Sequence, residues 1–174
     1  MLAVISHADC LLHDPGPDHP EQASRLYAIN DQIIASGMEF VIRHYDAPLA
    51  TRDQLIRAHD EAYVDRIYAS APAEDSIEID GDTVMSPATL NAARRAAGAG
   101  VLGVDLVMKG EAGPVFCAIR PPGHHAEHDR AMGFCLFDNI AVAAAHALAE
   151  HGLERVAIVD FDVHHGNGTE DIFR

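Results

Sequence analysis

Val156-Ala157-Ile158-Val159-Asp160-Phe161-Asp162-Val163-His164-His165-Gly166-Asn167-Gly168 starts as a buried strand and ends in metal-ligand side chains. The apolar run Val156 to Val159 suits a strand covered on both faces, as in a parallel sheet. Side chains alternate along a strand, so Asp160, Asp162 and His164 project to one side while extended geometry persists. Two carboxylates and an imidazole at the carboxyl end of a parallel strand stand where open α/β sheets place their chemistry. The glycines then let the chain leave sharply.

The flanking sequence supplies the rest of such a sheet. Leu2 to Ser6 reads as a first strand and residues 7 to 19 as a long loop rich in Pro, Asp and His. Pro20 opens a helix to about Ser36, with Leu26, Ile29, Ile33 and Ile34 as its apolar stripe and Gly37 as its stop. Phe40-Val41-Ile42 reads as a second strand. Thr51-Arg52-Asp53-Gln54 is a capping box. Asp60 to Ser70 is helical, with Tyr63, Val64, Ile67 and Tyr68 on one face, and residues 71 to 85 form a polar connection. Ser86-Pro87 starts a helix to Lys109, whose Ala92, Ala93, Ala96, Ala97, Gly98, Ala99 and Gly100 predict close packing. Pro114 to Ile119 is a strand, and residues 120 to 135 form a Gly- and His-rich loop. Asp138 or Asn139 caps a helix through His151 that Gly152 closes. A last helix starts at Thr169. Strands alternating with helices predict a three-layer α/β/α fold with a mainly parallel sheet.

Length and composition narrow the function. A chain of 174 residues fits one domain, and 48% hydrophobic with 22% charged residues supports a packed core. The formal net charge of −15, without a Lys/Arg run, argues against nucleic acid as a partner. An acidic surface still attracts cationic ligands such as a basic peptide. No apolar run has membrane-spanning length, and Met1 to Ser6 is too short for a signal peptide. Cys10, Cys117 and Cys135 lack paired spacing, which suits a reduced, cytoplasmic protein.

Two motifs carry chemistry. His124-His125 follow Arg120-Pro121-Pro122-Gly123 after a predicted strand, and neighbouring imidazoles can divide base and acid roles. The bland alternative is two surface histidines. Asp160-x-Asp162-x-His164 offers zinc ligands with a carboxylate behind them. Its alternative is helix capping and backbone bonding. Each motif ends a predicted strand, and together they point to a metal-dependent hydrolase.

Arg120-Pro121-Pro122-Gly123-His124-His125-Ala126, Gly133-Phe134-Cys135 and Asp160 through Thr169 resemble the signature segments of the histone deacetylase superfamily. His19-Pro20-Glu21 with Arg25-Leu26, and His59-Asp60 with Ala62-Tyr63, match its amino-terminal half. Asn167, where many class I members carry Asp, looks class II-like, as in bacterial histone-deacetylase-like amidohydrolases and acetylpolyamine amidohydrolases. The resemblance implies an arginase/deacetylase-like fold. It implies zinc (Zn2+) held by Asp162, His164 and a later Asp, with an open position for water and substrate carbonyl. His124 and His125 would be the tandem base and acid, with Asp160 bonding His124 and Asn167 orienting His125. Asp160, with backbone carbonyls of Asp160, Asp162 and His164, would bind potassium (K+), and Phe173 a second potassium ion. Gly133 and Phe134 would contact the substrate, an acetylated lysine peptide or acetylated small amine. Taken alone, Phe134 reads as ordinary core, Cys135 as a small buried hydrophobe, and His165 as packing or bonding backbone. Asp80 or Asp82 could be a rim carboxylate, with an exposed loop the simpler reading.

Departures from the family pattern matter as much. Neither the third ligand nor a Gly-Gly-Tyr-like segment is present, and Tyr27, Tyr45, Tyr63 and Tyr68 all precede His124. Residues 1–174 therefore read as an apparently truncated, amino-terminal portion of a single deacetylase domain. Two ligands should hold zinc weakly. An apolar edge at Val156 would invite self-association. A rival reading is a catalytically incomplete fragment acting as a metal- or acyl-binding or interaction module. An arginase-like binuclear manganese hydrolase would want Asp-x-His-x-Asp, and the order here is Asp160-x-Asp162-x-His164.

Overall fold

A computed structural model of the chain describes residues 1–174. In chain order its elements are β1 (Leu2–Ser6), α1 (Asp9–Leu12), α2 (Ser24–Ala35), β2 (Ile42–Asp46), α3 (Arg52–Leu55), α4 (Glu61–Ser70), β3 (Ile77–Asp80), β4 (Thr83–Met85), α5 (Thr89–Met108), β5 (Val115–Cys117), α6 (Asn139–His151) and α7 (Asn167–Ile172).

β1 is the middle strand of a parallel sheet ordered β2-β1-β5, with Val4 opposite His44 on one side and Phe116 on the other. Alternation along β1 builds the three layers. Val4 points to a cluster with Cys10, Leu26 and Ala118, roofed by α2. Ala3 and Ile5 point the other way, to Ala47, Ala99 and Leu106 beneath α5. The largest cluster lies beyond α5, where Leu55, Val64, Met85, Ala97, Phe137 and Val142 join α3, α4, α5 and α6.

Several local expectations hold for stated reasons. Thr51 and Gln54 form the reciprocal capping box at α3. The Asp138 carboxylate accepts the Ala141 N–H at the start of α6, and Gly152 ends that helix at φ +63°. Gly98 lets α5 approach the carbonyl of Pro48, which a Cβ would overlap.

Four expectations need correction. The helix after Pro20 starts only at Ser24, and Ile34 on its expected stripe is exposed. The second strand begins at Ile42, because Met38–Phe40 closes a 3-10 turn first. Residues 71 to 85 are not a plain connection but contain the antiparallel hairpin of β3 and β4.

The most consequential correction concerns Val156 to Val159, which form no ladder. They border one cleft with Ala144, Leu148 and Phe173 and another with Pro122 and His124. A strand requires a backbone partner as well as apolar side chains, and β5 pairs only with β1. Val159, Phe161 and Val163 are 84%, 97% and 91% exposed.

Candidate active site

The site is assembled from two loops, one following β5 and the other following the unpaired segment Val156 to Val159. Arg120, wholly buried, fixes the first of them. Its Nε and Nη2 donate to the two carboxylate oxygens of Glu21 at 2.7 and 2.6 Å, and Nη1 donates to the Cys10 carbonyl at 2.8 Å. The His124-His125 pair follows on this anchored stem, with ring centroids 4.1 Å apart.

Each imidazole is held through Nδ1. His124 Nδ1 donates to Asp160 Oδ2 at 2.7 Å, and His125 Nδ1 donates to Asn167 Oδ1 at 2.7 Å. The amide of Asn167 is oriented in turn, its Nδ2 donating to Glu127 Oε1 at 2.9 Å. Nδ1 donation leaves Nε2 of both rings free to take or give a proton. Gly133 lies directly over His125 at φ +57°, and a Cβ there would overlap the ring.

Asp162 and His164 stand beside this pair. His164 Nδ1 is 3.1 Å from Asp162 Oδ1, and the His125 and His164 ring centroids are 6.0 Å apart. Both side chains are exposed. The hydrogen bond from His124 holds the Asp160 carboxyl below its usual range, and the His164 backbone N–H does the same for Asp162. Both therefore offer full negative charge near neutral pH. Their donors fit a zinc ion, since a carboxylate and a nearby imidazole are two of its ordinary ligands.

Beside His125 the chain makes a turn at Gly133–Phe134. Phe134 adopts φ +69° and is half-buried, not core. The β3–β4 hairpin holds it there. Asp82 Oδ1 accepts the Gly133 N–H at 3.1 Å, and Thr83 Oγ1 accepts the Phe134 N–H at 3.1 Å. His19 packs edge-on against the Phe134 ring at 4.5 Å. Asp82, offered by the sequence as a rim carboxylate or an exposed loop residue, thus braces the turn through backbone.

Other candidates fall elsewhere. Phe173 ends α7, half-exposed beside Ala144, Leu148 and the Val156 segment. His165 faces the Glu170 carboxylate at 2.6 Å rather than backbone. Burial pushes the Cys135 thiol up to about 12, which removes it as a nucleophile near neutral pH. The cleft beside His124 is lined by Pro122, Ile158, Phe161 and their neighbours, with no tyrosine.

Fold and site together define a layered α/β protein with a parallel sheet, in which two oriented imidazoles face a carboxylate–imidazole donor pair. A histone deacetylase domain model matches residues 19–174, and the chain belongs to the histone deacetylase family. The chain is 41% identical over 156 residues to a histone deacetylase-like amidohydrolase of Pseudomonas aeruginosa, a match covering 90% of this chain and 40% of that one. It is 37% identical over 180 residues to the human polyamine deacetylase HDAC10, covering 98% of this chain and 27% of that one. The crystal structure of the HDA15 HD domain superposes with a TM-score of 0.93 at 36% identity, over 99% of this chain and 49% of that one. The chain spans about half or less of the length of the curated relatives it matches.

Proposed function

We propose that the chain carries the histidine pair and two of the zinc donors of a deacetylase that hydrolyses an acetyl-amide. The observation that carries this reading is the anchoring of both imidazoles through Nδ1, with both Nε2 atoms left free beside Asp162 and His164. Zinc on Asp162 and His164 would supply Lewis-acid polarisation of the scissile carbonyl and of the attacking water. One of the two imidazoles then removes a proton from that water, and the other returns a proton to the departing amine nitrogen. Asp160 compensates positive charge on His124 directly, whereas neutral Asn167 only orients His125. Gly133 and Phe134 line the approach for an acyl-lysine stem. The backbone carbonyls of Asp160, Asp162 and His164, with the Asp160 carboxylate, suit a potassium ion, and Phe173 a second. The substrate is an acetylated lysine peptide or an acetylated small amine, and the human relative's name, a polyamine deacetylase, favours the second.

Acetate release from an acetyl-lysine peptide and from an acetylated polyamine, measured with added Zn2+, tests the proposal. Activity is expected to disappear with chelator and with His125→Ala, and to fall about 10- to 100-fold with Asp160→Asn. A folded, zinc-loaded protein that releases no acetate from either substrate rejects it. That outcome would favour the second reading, an interaction module, which the exposed Val159, Phe161 and Val163 support.

A further inference from the structure

Away from that cleft, α5 and α6 pack side by side, and their carboxyl-terminal turns bring Asp105, His146 and His151 together. His146 Nε2 lies 2.9 Å and His151 Nε2 2.7 Å from the same atom, Asp105 Oδ1. The rings stand edge-to-face with centroids 5.6 Å apart. All three donor atoms fall within 4.8 Å of one another, and His146 is buried while His151 and Asp105 keep partial access to solvent. None of these residues contributes to the histidine pair or to the Asp162–His164 donors.

We propose that Asp105, His146 and His151 form a separate binding site for a zinc-class transition-metal ion. Two imidazoles and one carboxylate, with a solvent position left over, form a donor set that such ions take and that Mg2+ and Ca2+ take poorly. The site needs no large rearrangement, because the donors already converge from two packed helices. The cations around it set its strength. Arg57 Nη1 donates to His146 Nδ1 at 3.0 Å and also pairs with Glu150. Coordination uses the Nε2 lone pair of His146, so the ring proton must move to Nδ1 and displace Arg57 toward Glu150. Lys109 Nζ, 3.7 Å from Asp105 Oδ2, opposes the ion by charge.

The test uses metal-free protein carrying Asp162→Asn and His164→Ala, so that only the new site remains. Zn2+ is titrated against a chromophoric chelator, and Co2+ is followed by its visible absorption. A single equivalent is expected to bind with tetrahedral-type Co2+ bands. Adding His151→Ala or Asp105→Asn should weaken binding by about tenfold or more, and Arg57→Met should tighten it. Unchanged affinity in both ligand variants overturns the site, as does the absence of bound ion in a background protein that is folded by circular dichroism.

Discussion

Arg120 is the residue on which the candidate site leans, and it is a charge removed completely from water. Its guanidinium is satisfied by Glu21 and by the Cys10 carbonyl. Removing one partner of such a pair costs more than the pair is worth, because a buried charge is stranded. Glu21→Ala should therefore destabilise the fold by about 3–5 kcal/mol, read from denaturant midpoints. A loss within the range of a surface substitution would reject this role. His59 carries a second buried commitment. Its Nδ1 donates to the Glu127 carbonyl at 2.9 Å, and its Nε2 accepts the Asp138 N–H at 2.9 Å. Burial lowers its pKa from 6.5 to about 4, and burial lowers His13 to about 4 as well. The unfolded chain binds these protons first as pH falls. Their contribution is therefore complete above pH 6.5 and is lost as pH drops toward 4, on the order of a few kcal/mol for the pair. Urea midpoints at pH 7 and pH 4.5 check this, and equal midpoints would contradict it. The pairs His124–Asp160 and His125–Asn167 were expected only through the family resemblance, which rests on long, specific motifs, and the structure forms both. The convergence on Asp105 was not, since His146 and His151 meet a partner on another helix and no spacing in the sequence encodes that meeting.

Elements were legible where local chemistry decides them and obscure where a distant partner does. The α3 capping box, the Asp138 cap and the Gly152 stop all act within a few residues, and all form as expected. The β3–β4 hairpin hid in polar sequence because β3 is largely exposed, Ile77 included, and only the three-residue β4 turns Thr83 and Met85 inward. Val156 to Val159 misled in the opposite direction, since apolar composition marks a segment able to be a strand without supplying its neighbour. The small residues of α5 were correctly read as close packing. Gly98→Ala should push α5 away from the Pro48 carbonyl and cost about 1–3 kcal/mol, the usual range for overpacking. Thermal unfolding measures this. An unchanged midpoint would mean that the Pro48 loop yields freely.

The whole molecule combines strong negative charge with an uncovered apolar strip. At −15 the chain repels its own copies at long range, while Val159, Phe161 and Val163 favour contact once copies meet. Salt shortens the repulsion, so association should increase with ionic strength. Sedimentation velocity at low and high salt is expected to show this. Phe161→Ser with Val163→Ser should abolish it, and a monomer under every condition would remove the strip as a contact surface. The three-layer, mainly parallel architecture was legible from the alternation of elements, because that alternation is set by side-chain periodicity along the entire chain. The position of β1 has a further consequence, for the order in which the molecule can form. β1 precedes both of its partners in this sequence, yet it lies between them in the sheet, and its register with β5 joins Ala3 to Val115. Such pairing gives high contact order, so loop closure precedes most of its reward. On a ribosome adding about 5–20 residues per second, β1 waits for seconds before its second neighbour exists. Until then Val4 and Ile5 are apolar surface open to a chaperone.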